Sequence, residues 1–334
     1  MDLNLETIHK LDTLYEAQGD GLFENSISNN SIKDIFRNRS ILQNYTYAFS
    51  KKIPVQTDIT DQEHTGRCWL FSFTNVLRIE FIKKYKLPSS FMFSNTYLFF
   101  YDKLEKAYYF LKNIEETKDK GDTDRLVMFL LTDPTGDGGF WNMACNLITK
   151  YGMVPEKNMR ESRHSSNSGE LGGVLKTNLL LYAEQIRSGK KYKLMEMMTH
   201  IYSILCYFLG RPTKSFNWEY HNQRGKLEVK ENLTPLDFAK KYVKFNPNDY
   251  VSLVNYPLEG YPMFKRYSIK YCNNMLNGDD LDLINVPIKE LRKYSVLSLR
   301  KNMPVWFGSD VGKFHDSESG IMDENIFDYK KLFN

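Results

Sequence analysis

The stretch Asp61-Gln62-Glu63-His64-Thr65-Gly66-Arg67-Cys68-Trp69-Leu70-Phe71 brings the residue types of acyl transfer close together. Cys68 opens a largely apolar run (Trp69, Leu70, Phe71, Phe73, Val76, Leu77, Ile79, Phe81, Ile82) that lasts until Lys83-Lys84. Such a run, apolar on most faces, predicts a central, buried helix. A cysteine in its first turn meets unpaired backbone N–H groups and the positive end of the dipole, which favour a thiolate nucleophile. Gln62, six residues earlier on the loop feeding that helix, can aim its amide N–H₂ at the same place. With the Cys68 backbone N–H it would form an oxyanion hole for a tetrahedral intermediate. Gly66 lets the chain pass close to a substrate, and Trp69 can form part of a pocket wall. The same residue types also allow a plainer role, because most free cysteines are small buried hydrophobes. Residue type and spacing alone leave both open.

The elements that must position these residues follow from periodicity and caps. Residues 1–60 read as a helix, from Leu5, Ile8, Leu11 and Leu14, and then an extended polar arm, with Asn25 to Ser31 breaking the pattern. Helices are predicted over Cys68 to Tyr85, Thr96 to Leu111, Gly139 to Tyr151 (closed by Gly152), Leu175 to Arg187 and Tyr192 to Leu209, the last stopped by Gly210 and Pro212. Thr234-Pro235 is an N-cap with proline at the first helical position, opening Leu236 to Val243. Strands are expected only late, at Tyr250 to Asn255, Lys265 to Cys272 and Pro304 to Ser309, with a helix from Pro287 to Arg300. The Ser/Asn/Gly-rich segment 161–172 reads as a loop. Helices first and strands afterwards argue for an α+β fold.

Composition excludes more than it selects. The 334 residues carry 45 basic and 41 acidic side chains, a net charge of +4, which predicts no strong nucleic-acid or membrane partner. Lys190-Lys191 and Lys240-Lys241 are short clusters that read as solvated helix faces rather than a nucleic-acid footprint. Cys68, Cys145, Cys206 and Cys272 stand far apart, without metal-ligand spacing, so neither a disulfide framework nor a metal site is expected. Nothing in the sequence calls for a cofactor. Met1 to Glu6 lack the features of a signal peptide, and Ile201 to Leu209 is too short to span a bilayer, so the expected setting is cytoplasmic.

The pattern Gln-x-x-x-Gly-x-Cys-Trp is similar to the nucleophile motif of papain-like cysteine peptidases. Thr65 to Phe71 resembles more narrowly the bleomycin hydrolase and aminopeptidase C family. So do Phe93 to Lys103, Asp137-Gly138-Gly139-Phe140-Trp141-Asn142-Met143, Phe216 to Tyr220, Thr234 to Leu236, and Val305 to Lys313, in order along the chain. The resemblance implies a papain-like core with a helical insertion: a helical half over 61–155, the insertion over 156–248, and the start of a strand-rich half over 249–334. It implies a peptidase, of aminopeptidase type, acting on a peptide substrate through a thioester at Cys68, with Gln62 in the oxyanion hole. Gly138 and Gly139 match the backbone that pairs with an extended substrate. A homo-oligomer is also implied, since some relatives form ring-shaped hexamers. Phe140 departs from the family, which usually has glutamine there.

The resemblance also implies a histidine and an asparagine in Thr-His-Ala-Met-like and Asn-Ser-Trp-Gly-like motifs after the Trp-Phe-Gly stretch. Neither motif occurs in these 334 residues. The expectations are therefore an incomplete barrel half, with an open edge at Pro304 to Ser309, and a leaving amine with no assigned proton donor. His64, four residues before Cys68, and His315 are the candidate substitutes; His9, His164, His200 and His221 read as surface or packing residues. Two readings follow: a cysteine peptidase, or a papain-like remnant that binds a peptide or partner without turnover.

Overall fold

Leucine and isoleucine at helical spacing start the chain as expected: α1 (Leu5–Glu16) is capped by Asn4, whose side chain accepts the Thr7 N–H at 2.9 Å. In the computed structural model, residues 2–55, 57–222, 224–330 and 332 are described. They form two units, Met1–Ser50 with Phe307–Asn334, and Lys51–Trp306.

The smaller unit continues with α2 (Gly21–Asn29), α3 (Ile32–Phe36) and α4 (Arg39–Asn44). Asn25 to Ser31 does not break the helix as predicted; α2 runs to Asn29. Its small polar side chains bond back along the same helix, Ser26 Oγ to Leu22 O at 2.8 Å and Asn29 Nδ2 to Asn25 O at 2.8 Å. Phe23 and Ile27 meanwhile pack on a small core of Phe36, Ile321, Ile326 and Phe327, and that packing outweighs weak propensity.

In the larger unit α5 (Cys68–Tyr85) has the predicted bounds and buries ten residues, Trp69, Leu70, Phe73 and Leu77 among them. Lys86 ends it in the left-handed region at φ 52°. Then α6 (Asn95–Glu116) crosses it, capped by Ser94, which accepts the Tyr97 N–H at 3.0 Å. α7 (Arg125–Thr132) and α8 (Trp141–Tyr151) follow. α8 begins two residues later than predicted and closes at Gly152, whose φ of 74° and close approach to the Pro235 carbonyl admit no side chain.

Segment 161–172 is largely helical rather than a loop. It holds α9 (Arg163–Ser166) and the start of α10 (Gly169–Arg187). Ser162 and Ser165 cap α9 reciprocally, and Ser165, Ser168 and Leu171 are buried. Serines that looked like loop residues are helix caps. α11 (Leu194–Leu209) ends at Gly210.

Strands also appear earlier than predicted. β1 (Phe216–His221) and β2 (Leu227–Leu233) form an antiparallel hairpin inside the expected helical insertion. Phe216 and Trp218 point inward from it, and Trp218 meets Phe81 and Phe238. α12 (Pro235–Phe238), capped by Thr234, runs on into a wider turn at Ala239–Val243. The late sheet is thin: β3 (Leu253–Val254), β4 (Arg266–Ser268) and β5 (Asp282–Asn285), with β5 between parallel β3 and antiparallel β4. α13 (Ile288–Arg300) follows. Pro304 to Ser309, predicted as a strand, has no regular structure; among the described residues no ladder pairs with it. Helices and small sheets together make the mixed α and β architecture expected. No described helix is long and apolar enough to cross a membrane.

Candidate active site

Cys68 is the first residue of α5, and it is exposed while Arg67 and Trp69 on either side are buried. An exposed thiol is thus presented by a helix whose flanking residues are buried. Arg67 is also held by polar partners. Its guanidinium makes paired hydrogen bonds to Glu161, at 3.1 and 3.0 Å, and its Nε donates to Thr65 Oγ1 at 3.1 Å. It also lies over the rings of Phe71 and Phe99. A buried arginine held bidentately in this way fixes both position and direction. Thr65 Oγ1 donates in turn to Gln62 O at 2.8 Å, and Glu63 takes a left-handed φ of 52° as its N–H donates to Asp61. Gln62 is half-buried on this closed loop.

Across from the loop runs the segment 135–139. Trp69 Nε1 donates to Asp137 O at 2.7 Å, and a Cβ on Gly139 would lie 2.5 Å from the Trp69 ring. Only glycine permits that stacking. Gly138 is exposed, with open space where its side chain would be. The backbone carbonyls beneath are held by two buried lysines of α6. Lys103 donates to Thr135 O, while Lys106 donates to Gly136 O at 2.8 Å and Gly138 O at 2.7 Å.

These cations are paired. Lys103 lies 2.6 Å from Asp137, and Lys106 lies 2.7 Å from the fully buried Asp102, which also accepts from Asn274 at 3.0 Å. Burial pushes the Asp137 carboxyl up. The Lys103 charge and hydrogen bonds from Lys103, Ser168 and the Gly66 N–H more than reverse this and hold it at about 2. Burial, aided by the charge on Lys106, draws Lys103 below its ordinary value, against the pull of Asp137 and Asp102.

The structure therefore sets exposed Cys68 next to buried Trp69, which packs under Gly139 and bonds the Asp137 carbonyl beside exposed Gly138, with Gln62 on the adjoining loop. The sequence reading missed the supports: Arg67, Glu161, Lys103, Lys106, Asp137 and Ser168. A signal existed, since Asp102, Lys103, Glu105 and Lys106 form a cluster of charges between apolar stretches of the helix. The histidines each have their own surroundings. His64 is exposed, its backbone N–H donating to Ser166 O at 3.0 Å. His164 packs on Phe208, and His200 shares a hydrogen bond with Tyr182 at 2.6 Å. His315 belongs to the smaller unit. Cys145 is buried, and desolvation pushes its thiol up to about 12. Among the described residues no three His, Cys, Asp or Glu side chains are grouped to hold a metal ion.

Residues 2–334 match the Peptidase C1-like family. The chain is 34% identical over 326 residues to bleomycin hydrolase of Rattus norvegicus, covering 93% of this chain and 72% of that protein. It is 36% identical over 327 residues to aminopeptidase C of Lactobacillus delbrueckii subsp. lactis, covering 95% of this chain and 70% of that protein. The crystal structure of PepW from Lactobacillus rhamnosis matches with a TM-score of 0.91 at 31% identity, over 100% of this chain and 76% of that one.

Proposed function

This chain belongs to the Peptidase C1-like family, with the bleomycin hydrolases and aminopeptidases C, and from that premise we propose that it hydrolyses peptide bonds through Cys68. The observation that carries the reading is the exposure of Cys68 at the head of a buried helix, beside a backbone segment on which Gly138 is exposed. A small hydrophobe that merely filled the core would be covered.

The residues divide the work as follows. An extended peptide lies along Gly138-Gly139 by strand addition. The Gly138 carbonyl is already engaged by Lys106, so pairing falls chiefly to Gly139, which Trp69 holds in place. The Cys68 sulfur attacks the scissile carbonyl, and the oxyanion is met by the Cys68 N–H and the Gln62 amide. Collapse of the intermediate breaks the C–N bond, releases the amine and leaves a thioester that water hydrolyses. Protonation of the leaving amine needs a general acid, worth roughly 10²–10⁴-fold in rate. Phe140, exposed next to Gly139, adds an apolar edge where relatives usually carry an amide. Four free cysteines suit a reducing, cytoplasmic setting.

The test is turnover of an unblocked aminoacyl arylamide by the protein and by Cys68→Ala. Cys68-dependent turnover supports the peptidase. Equal turnover in the variant removes Cys68 from the mechanism. Peptide binding without turnover in either protein favours the second reading, a peptide-binding relative without catalysis.

A further inference from the structure

Asp137 bonds to the nucleophile's surroundings through both its side chain and its backbone. Its carboxylate accepts the Gly66 N–H at 3.1 Å, the Ser168 hydroxyl, and Lys103 Nζ at 2.6 Å. Its carbonyl accepts Trp69 Nε1–H at 2.7 Å. Gly66 lies two residues before Cys68 and Trp69 one residue after it, so one aspartate grips the chain on both sides of the sulfur. The next two residues along its own chain are Gly138 and Gly139, where the peptide is read. A Cβ on Gly66 would lie 2.8 Å from Asp137 Cβ, so the two loops touch with no side chain between them.

The support beneath is unusually polar for a protein interior. The carbonyls of residues 135, 136, 137 and 138 all accept from side-chain donors: Lys103, Lys106, Trp69 and Lys106 again. Hydrophobic packing would fill this space more easily, and buried ion pairs are costly unless their geometry is satisfied throughout. Directional bonds do what packing cannot: they set the distance between two backbone segments and resist sliding.

We propose that Asp137, held by Lys103 and Ser168, is a positioning residue that registers the Gly138-Gly139 peptide track against the Cys68 sulfur. The inference rests on the peptidase reading and assigns Asp137 no contact with substrate. Its action passes through Gly66, Trp69 and the two glycines.

The experiment compares two alkylating reagents on the full chain, with Cys68→Ser subtracting the other three thiols. Iodoacetamide reports the sulfur alone. A dipeptidyl chloromethyl ketone with a free amino terminus reports the sulfur and the peptide track together; the sulfur displaces chloride to form a thioether. The ratio of the two rate constants cancels any general change in the thiol. A misplacement of about 1 Å can cost roughly 10²-fold in an oriented reaction, so Asp137→Asn is expected to lower the ratio at least about tenfold. Because that variant strands Lys103, the double variant Asp137→Asn with Lys103→Met is measured beside it. It carries no unpaired buried cation, and its cooperative melting checks the fold. A low ratio in the folded double variant supports positioning, since mere stabilisation of the fold would leave the ratio at the wild-type value. A wild-type ratio in that variant overturns the proposal while leaving Cys68 as nucleophile. If wild-type protein shows no preference for the peptidyl reagent over Cys68-independent background, the peptidase reading falls and this inference falls with it.

Discussion

Within the larger unit, residues 61–210 and residues 250–306 are built on opposite plans. The first stretch packs long helices on a shared core and places charged side chains inside it, three of them in ion pairs: Arg67 with Glu161, Lys103 with Asp137, Lys106 with Asp102. The second has strands of two, three and four residues and a helix, α13, with no buried residue. One buried side chain adds to the short ladders of this thin sheet. Buried Asn285 donates to Tyr256 O at 3.1 Å and Tyr261 O at 2.9 Å, and accepts the Tyr256 N–H at 2.9 Å. In one region buried polar groups join backbone segments far apart along the chain; in the other an amide ties the loop after β3 to the end of β5. Polar burial serves precision in the first case and continuity in the second.

The sharpest way to break the contrast is Lys103→Ala, which leaves Asp137 without its cation. Removing one partner of a buried pair costs about 3–5 kcal/mol, read as a fall in urea-unfolding free energy. A loss below about 1 kcal/mol would mean that solvent replaces the lysine and the interior is wetter than its burial suggests. Acid is the next lever. The Asp137 carboxyl sits at about 2 when folded against an ordinary 3.8, so the unfolded chain binds its proton first. Its stabilising contribution is present above about pH 4 and is lost as pH falls through about 2, roughly 2 kcal/mol in all. The stability gap between wild type and Asp137→Asn should therefore narrow between pH 6 and pH 2.5; a constant gap would deny the depressed value.

In the thin sheet, Asn285→Ala leaves backbone groups of Tyr256 and Tyr261 unpaired and should cost about 1–3 kcal/mol. Hydrogen exchange at the Tyr256 amide should rise with it; unchanged protection there would show that the sheet holds without the amide. The smallest effect is expected on α13, where Leu297 is 40% exposed. Leu297→Ser should change stability by no more than about 0.5 kcal/mol, and a larger loss would reveal a partner surface covering that helix.

Much of the helical frame could be read directly. The bounds of α5, the glycine stops at Gly152 and Gly210, and the Thr234-Pro235 start depend on local geometry: which residues tolerate a left-handed φ, and which can cap an N–H. The β1–β2 hairpin leaves a mark too, in the alternation Phe216, Trp218, Tyr220, although strands are expected only from Tyr250 onward. Residues 161–172 misled for a different reason. Serine and asparagine serve loops and caps alike, and only the burial of Ser165 and Ser168 separates the two.

The candidate site divides along the same line. Residue types and order alone determined which family this chain belongs to, which cysteine opens the apolar helix, and which glycines run beside it. Tertiary structure decided that Cys68 is exposed between two buried neighbours, and that Asp137, 71 residues beyond Gly66, bonds to the loop before that cysteine. The reason is physical. Periodicity and capping act over a few residues and leave their mark in the local sequence. An ion pair or a carbonyl cradle is made by groups far apart along the chain, and its energy depends on burial that no local pattern records.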